Sequence, residues 1–113
     1  MTHDQRKQVY RKAIDQYGEA LQLTVAIEEM AECQKELCKF IRGNGNTDNL
    51  AEEVADVLIM MEQVMYIFGI DDAVNRETNR KVERLENRIT KHKRECTPPL
   101  AHDFLCELEE EYA

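Results

Sequence analysis

Residues 27–33 read IEEMAEC, which puts Glu28, Glu29 and Glu32 within five positions of a segment whose other residues have apolar helical spacing. A second acidic group, Glu53 and Asp56, follows further along the chain. Glu29 with Glu32, and Glu53 with Asp56, are i, i+3 pairs, and each pair can reach one ion from one face of a helix. Carboxylates gathered in this way repel each other and raise one another's pKa values. Burying them bare costs far more than a surface contact returns. A divalent cation resolves the conflict. Magnesium is a hard ion that takes oxygen ligands in octahedral geometry, keeps several waters and bridges to substrate phosphates.

The faces of the two helices carry the argument further. A helix turns about 100° per residue, so Glu28, Glu29, Glu32 and Glu36 all lie roughly 100–160° from Met30, the centre of their helix's main apolar stripe. Leu21 and Val25 fall on the same acidic side one or two turns earlier, so that side is half-apolar rather than plainly solvated. The next helix repeats the arrangement: Glu53 and Asp56 lie opposite Leu58, and Met60, Val64 and Ile67 continue their face. An antiparallel hairpin would bring the two acidic clusters together in the middle of a buried seam. Glu32 is further from the connecting loop than Glu53 is, so the loop must absorb an offset, or one pair must meet its partner across a subunit boundary.

Four helices must position these groups. Thr2 with Gln5 suits a capping box opening a first helix over roughly 3–17, with Val9, Tyr10, Ala13, Ile14 and Tyr17 on one side and Gly18 as its break. A second helix runs from about Glu19 to Phe40, its stripe being Leu23, Ala26, Ile27, Met30, Cys33, Leu37 and Ile41. The stretch RGNGNTDN ends it, two glycines supplying left-handed conformations and Thr47 or Asp48 capping the next helix. That third helix spans about 49–68, with Leu50, Val54, Leu58, Met61, Met65 and Phe68 at near-heptad spacing. Gly69 stops it. Asp71 or Asp72 caps a fourth helix reaching about Arg94, lined by Val74, Val82, Leu85 and Ile89 and closed by Pro98–Pro99. The expected organisation is one helical domain over 1–95 and an acidic C-terminal tail over 96–113, itself able to form a short helix.

Composition agrees with an all-α fold: an antiparallel bundle of about four helices, completed by oligomerisation. At 113 residues the chain is one small domain, for which association is a natural way to enlarge the core. The hydrophobic share of 42% rests on aliphatic residues, with only 6% aromatics, which favours helix-on-helix packing. A net charge of −8 argues against stable nucleic-acid binding or a general membrane-surface role. The polar opening MTHDQRKQ has no signal-peptide run, and the cytoplasm is the default location. Cys33, Cys38, Cys96 and Cys106 form no CxxC pair and read as reduced thiols.

The order of these motifs resembles a known family. EExxE at Glu28–Glu32, then ExxD at Glu53–Asp56 after a glycine-bearing loop, then TNRKVER at 78–84, is similar to the pattern of the MazG-like all-α nucleoside triphosphate pyrophosphohydrolases. The resemblance covers about residues 19–88. It implies a homodimer or homotetramer and Mg²⁺-dependent hydrolysis of a (d)NTP to the monophosphate and pyrophosphate, with Mn²⁺ able to substitute. Carried over by position, Glu29, Glu32, Glu53 and Asp56 would be metal ligands, with Glu53, like Glu28, also a candidate catalytic residue. Glu28 would take a proton from the attacking water or bind a second ion. Asn79, Lys81 and Arg84 would approach the phosphates. Val82 stands where that family usually has an aromatic residue. The chemistry is coherent, because phosphoryl attack needs charge neutralisation and a positioned water more than a protein nucleophile.

Two other readings compete. A di-iron carboxylate bundle would need Glu-x-x-His on two helices. No histidine here follows a glutamate by three positions. A non-catalytic helical interaction or regulatory module, able to bind nucleotide without turnover, explains the amphipathicity. It gives no reason for carboxylates on two half-apolar faces.

Overall fold

The structure, a computed structural model, describes residues 1–94. The expectations for the segment after Arg94, including Pro98–Pro99, Cys96 and Cys106, lie outside the described residues. The described chain is all-helical: α1 (His3–Tyr17), α2 (Glu19–Ile41), α3 (Thr47–Phe68) and α4 (Asp71–Arg94). It divides into two compact units, one ending at Asp71 and one beginning at Asp72.

The first unit holds α1, α2 and α3. Thr2 caps α1 reciprocally: its hydroxyl accepts from the Gln5 amide at 3.1 Å, and the Gln5 side chain accepts from the Thr2 amide at 2.7 Å. Gly18, at φ 88°, turns the chain from α1 into α2. Tyr10 and Ile14 are the buried residues of α1, which packs against both α2 and α3. The Tyr10 hydroxyl donates to a Glu62 carboxylate oxygen, and Arg6 stands 3.7 Å from the same oxygen. Burial and this acidic partner push the Tyr10 phenol up to about 12.

The turn between α2 and α3 differs in two details from the sequence expectation. Asn46, rather than Thr47 or Asp48, is the N-cap: its side-chain oxygen accepts from the amides of Asp48 at 2.8 Å and Asn49 at 3.2 Å. Asn46 sits in extended backbone, as an N-cap should, whereas Thr47 and Asp48 are already helical. Only one of the two loop glycines, Gly43 at φ 85°, adopts the left-handed region. Gly45 is required for a different reason. A Cβ there would overlap the Phe40 ring, 2.7 Å from Cδ1 and nearer still to Cγ and Cδ2. At the far end of α3, Gly69 at φ 62° closes the helix, and Ile70 returns its amide to the Met65 carbonyl at 3.1 Å.

The packed face of each long helix includes acidic side chains, Glu29 and Glu36 on α2 and Glu53 on α3. The stripe expected to form the core of α2 is divided: Ala26 is buried and Leu23 and Cys33 are half-buried, whereas Ile27 is 66% and Ile41 86% accessible, and Met30 and Leu37 are exposed as well. Val54, Leu58 and Phe68 of α3 are exposed too. The inward residues of α2 are Gln22, Ala26, Glu29, Cys33 and Glu36, which recur at alternating steps of four and three. On α3, Glu53, Met60, Gln63 and Ile67 face inward, and the exposed Asp56 falls at the same spacing between Glu53 and Met60. This is the spacing of a coiled-coil seam, with polar and acidic side chains in positions normally held by leucine.

The second unit contains α4 from Asp72 onward. Asp71 and Asp72 both fall in its first turn, where carboxylates complement the helix dipole. Glu77 pairs with Arg80 at 2.6 Å, and this guanidinium lowers the Glu77 carboxyl below its ordinary value. Val82, Leu85 and Ile89 are exposed along the helix.

Candidate metal centre

Glu29 comes from α2, and Glu53 and Asp56 from α3. Heptad spacing and the antiparallel turn bring one carboxylate oxygen from each to within 4.8 Å of the others. Glu29 and Glu53 are half-buried and Asp56 is exposed, so the group sits at the rim of the seam with one side open.

The electrostatics follow from this placement. Glu29 is raised above the ordinary carboxylate range, first by burial, then by the charges of Asp56 and Glu53, by a hydrogen bond with Asp56, and by Glu32. Glu53 is raised likewise by burial and by Asp56, Glu32, Glu36 and Glu52. Each of these neighbours is another carboxylate. Such a cluster holds protons or cations more tightly than any of its members would alone.

The other sequence-derived residues are placed as follows. Glu32 is exposed and lies outside the three-oxygen group, yet its charge acts on both Glu29 and Glu53. Glu28 is exposed on α2. Asn79, Lys81 and Arg84 stand on α4 in the second unit, Asn79 exposed and the two cations half-buried, and the charges of Lys81 and Arg84 help lower Glu77.

One participant was not singled out by the motifs. Glu36 is buried to 7% exposure, one turn beyond Glu32, and its charge reaches Glu53. One of its oxygens accepts from Lys39 Nζ at 2.9 Å; the other has no hydrogen-bond partner among the described residues. Its position four residues after Glu32 on the same face was the available signal.

The donor set suits a hard divalent cation. Around magnesium, oxygens about 2.1 Å from the ion stand about 3 Å apart when adjacent and about 4 Å when opposite. The three donor oxygens lie within 4.8 Å of one another, and two of them are carried on flexible glutamate stems able to close towards that geometry. All-oxygen ligation without histidine or thiolate favours Mg²⁺ or Mn²⁺ over zinc. Searches with the chain against protein-family models, curated proteins and solved structures gave no significant match.

Proposed function

We propose that the chain is a Mg²⁺-dependent nucleoside triphosphate pyrophosphohydrolase, releasing a monophosphate and pyrophosphate from a (d)NTP, with Mn²⁺ able to replace Mg²⁺. The observation that carries this reading is the convergence of Glu29, Glu53 and Asp56 at heptad positions of a helical seam. Leucine is the usual occupant of such positions, so the meeting of three acids there, two of them half-buried, supports a bound cation. The EExxE, ExxD and TNRKVER motifs supply the reaction class.

In this reading Glu29, Glu53 and Asp56 hold the metal, with Glu32 completing the ligand set from the open side. The bound ion would neutralise phosphate charge and lower the pKa of a coordinated water. Glu28, exposed beside the ligands, accepts the proton of the attacking water. The resemblance of TNRKVER gives Asn79, Lys81 and Arg84 as candidate phosphate-binding groups, the two cations through charge-assisted hydrogen bonds.

The exposed stripes on α2 and α3 support a second element of the proposal, a homodimer or homotetramer. Ile27, Met30, Leu37, Ile41 and Leu58 offer apolar surface that a second copy of the same chain can cover. The cytoplasm, where nucleoside triphosphates and free Mg²⁺ abound, is the proposed location. No described helix is long and apolar enough to cross a membrane.

The decisive experiment is a panel of canonical and modified (d)NTPs with Mg²⁺, scored separately for pyrophosphate and orthophosphate. Pyrophosphate release lost in Glu53→Gln supports the proposal. No product from any substrate, with no Mg²⁺-dependent change in melting, overturns it in favour of a helical interaction module.

A further inference from the structure

We propose that Gln22 and Gln63 are positioning residues that lock the register of α2 against α3 and so assemble the acidic centre. This rests on the metal-centre reading above and deepens it. The Gln22 side-chain amide donates to the Gln63 side-chain oxygen at 2.7 Å, and the two residues are only 8% and 5% exposed. Gln63 turns its own amide towards Met60 Sδ at 3.6 Å.

The position of the pair in the seam gives it this role. Glu29 stands seven residues after Gln22, and Asp56 seven residues before Gln63. Seven residues are two turns of a supercoiled helix, so each acid lies on the same face as its glutamine. Fixing Gln22 against Gln63 therefore also fixes Glu29 against Asp56.

The remaining seam residues cannot set this register. Ala26 and Met60 supply non-directional apolar contact, which tolerates sliding. The carboxylates repel one another and oppose the observed alignment. A buried amide pair is directional, and a slide leaves both amides unpaired in the interior. A one-turn slide moves a helix by about 5.4 Å. That exceeds the 4.8 Å within which all three donor oxygens lie, so the centre and the amide pair are lost together.

The test is Mn²⁺ binding by calorimetry on the full chain and on the double variant Gln22→Leu/Gln63→Leu, with melts of both in EDTA. Replacing both partners by apolar groups of similar size leaves no unpaired amide. The expected result is at least a ten-fold weaker Mn²⁺ affinity with an EDTA melting temperature equal to or above that of the unaltered chain. Unchanged affinity in a folded double variant overturns the lock while leaving the metal centre standing. Absence of Mn²⁺ binding by the unaltered chain overturns the metal centre itself, and the lock with it. Should the leucine pair not fold, Gln22→Met/Gln63→Met is read in its place. Failure of that pair to fold also overturns the lock, since the amides would then hold the hairpin rather than its alignment.

Discussion

Glu29 and Asp56 each bring a carboxylate oxygen to within 4.8 Å of the other across the α2–α3 seam, two like charges with no basic group between them among the causes that shift Glu29. The contact is therefore unfavourable to the fully ionised protein and favourable once a proton or a metal ion occupies it.

The first prediction concerns that contact. Asp56→Asn should leave the fold intact and raise the melting temperature in EDTA, because one of the repelling charges is gone. The same variant should lose the Mg²⁺-dependent rise in melting temperature expected of a ligand that binds only the folded state. Circular dichroism melts with EDTA and with Mg²⁺ measure both. A large fall in the EDTA melt would sink the account of the cluster as repulsive.

The second concerns pH. Glu29 and Glu53 hold protons more tightly when folded than their ordinary value of 4.5 provides. A raised folded pKa contributes stability that is complete below the unfolded value and disappears as pH climbs through the folded one. In EDTA the unaltered chain should therefore lose stability relative to Glu29→Gln/Glu53→Gln as pH rises from about 4.5 towards neutrality. Saturating Mg²⁺ should remove that relative loss. Parallel melting curves for the two proteins across this pH range would refute the prediction.

The third concerns the turn that joins the acid-bearing helices. Gly45→Ala places a methyl group within the space of the Phe40 ring and should cost about 1–3 kcal/mol, as overpacking generally does. In Phe40→Ala/Gly45→Ala most of that cost should vanish relative to Phe40→Ala alone, because the clash has no second partner. Urea denaturation of the four proteins in the cycle gives the coupling.

The fourth concerns α1. Tyr10→Phe removes the hydroxyl that donates to Glu62 and leaves Arg6 as that carboxylate's ionic neighbour. The expected loss is about 1–2 kcal/mol of stability, typical of a part-buried hydrogen bond to a charged acceptor. Mn²⁺ affinity should stay the same, because Glu62 is not among the acids that shift Glu29 or Glu53. Calorimetry on the variant tests that separation.

Helix positions were legible because the signals are local. Thr2 with Gln5, Gly18 and Gly69 mark ends through backbone chemistry that needs no partner element. The cap at Asn46 was missed because Asn, Thr and Asp in a row all satisfy the same preference, and only the backbone angle separates them. Glu29, Glu53 and Asp56 could be nominated from spacing and charge. The closeness of Glu29 to Asp56, with Glu32 at the margin, could not, because it depends on how two helices align. The exposed stripe of α2 shows the same limit. Periodicity finds an apolar face but does not tell whether this chain or another one covers it.

The acidic centre belongs entirely to one antiparallel hairpin, two consecutive helices joined by a turn of a few residues. Short turns close quickly, and neighbouring helices meet with little chain entropy to overcome. Glu29, Glu53 and Asp56 are therefore brought together as soon as this hairpin closes, by contacts local in the chain. The proposed cation site is then an early product of folding, complete within a single hairpin.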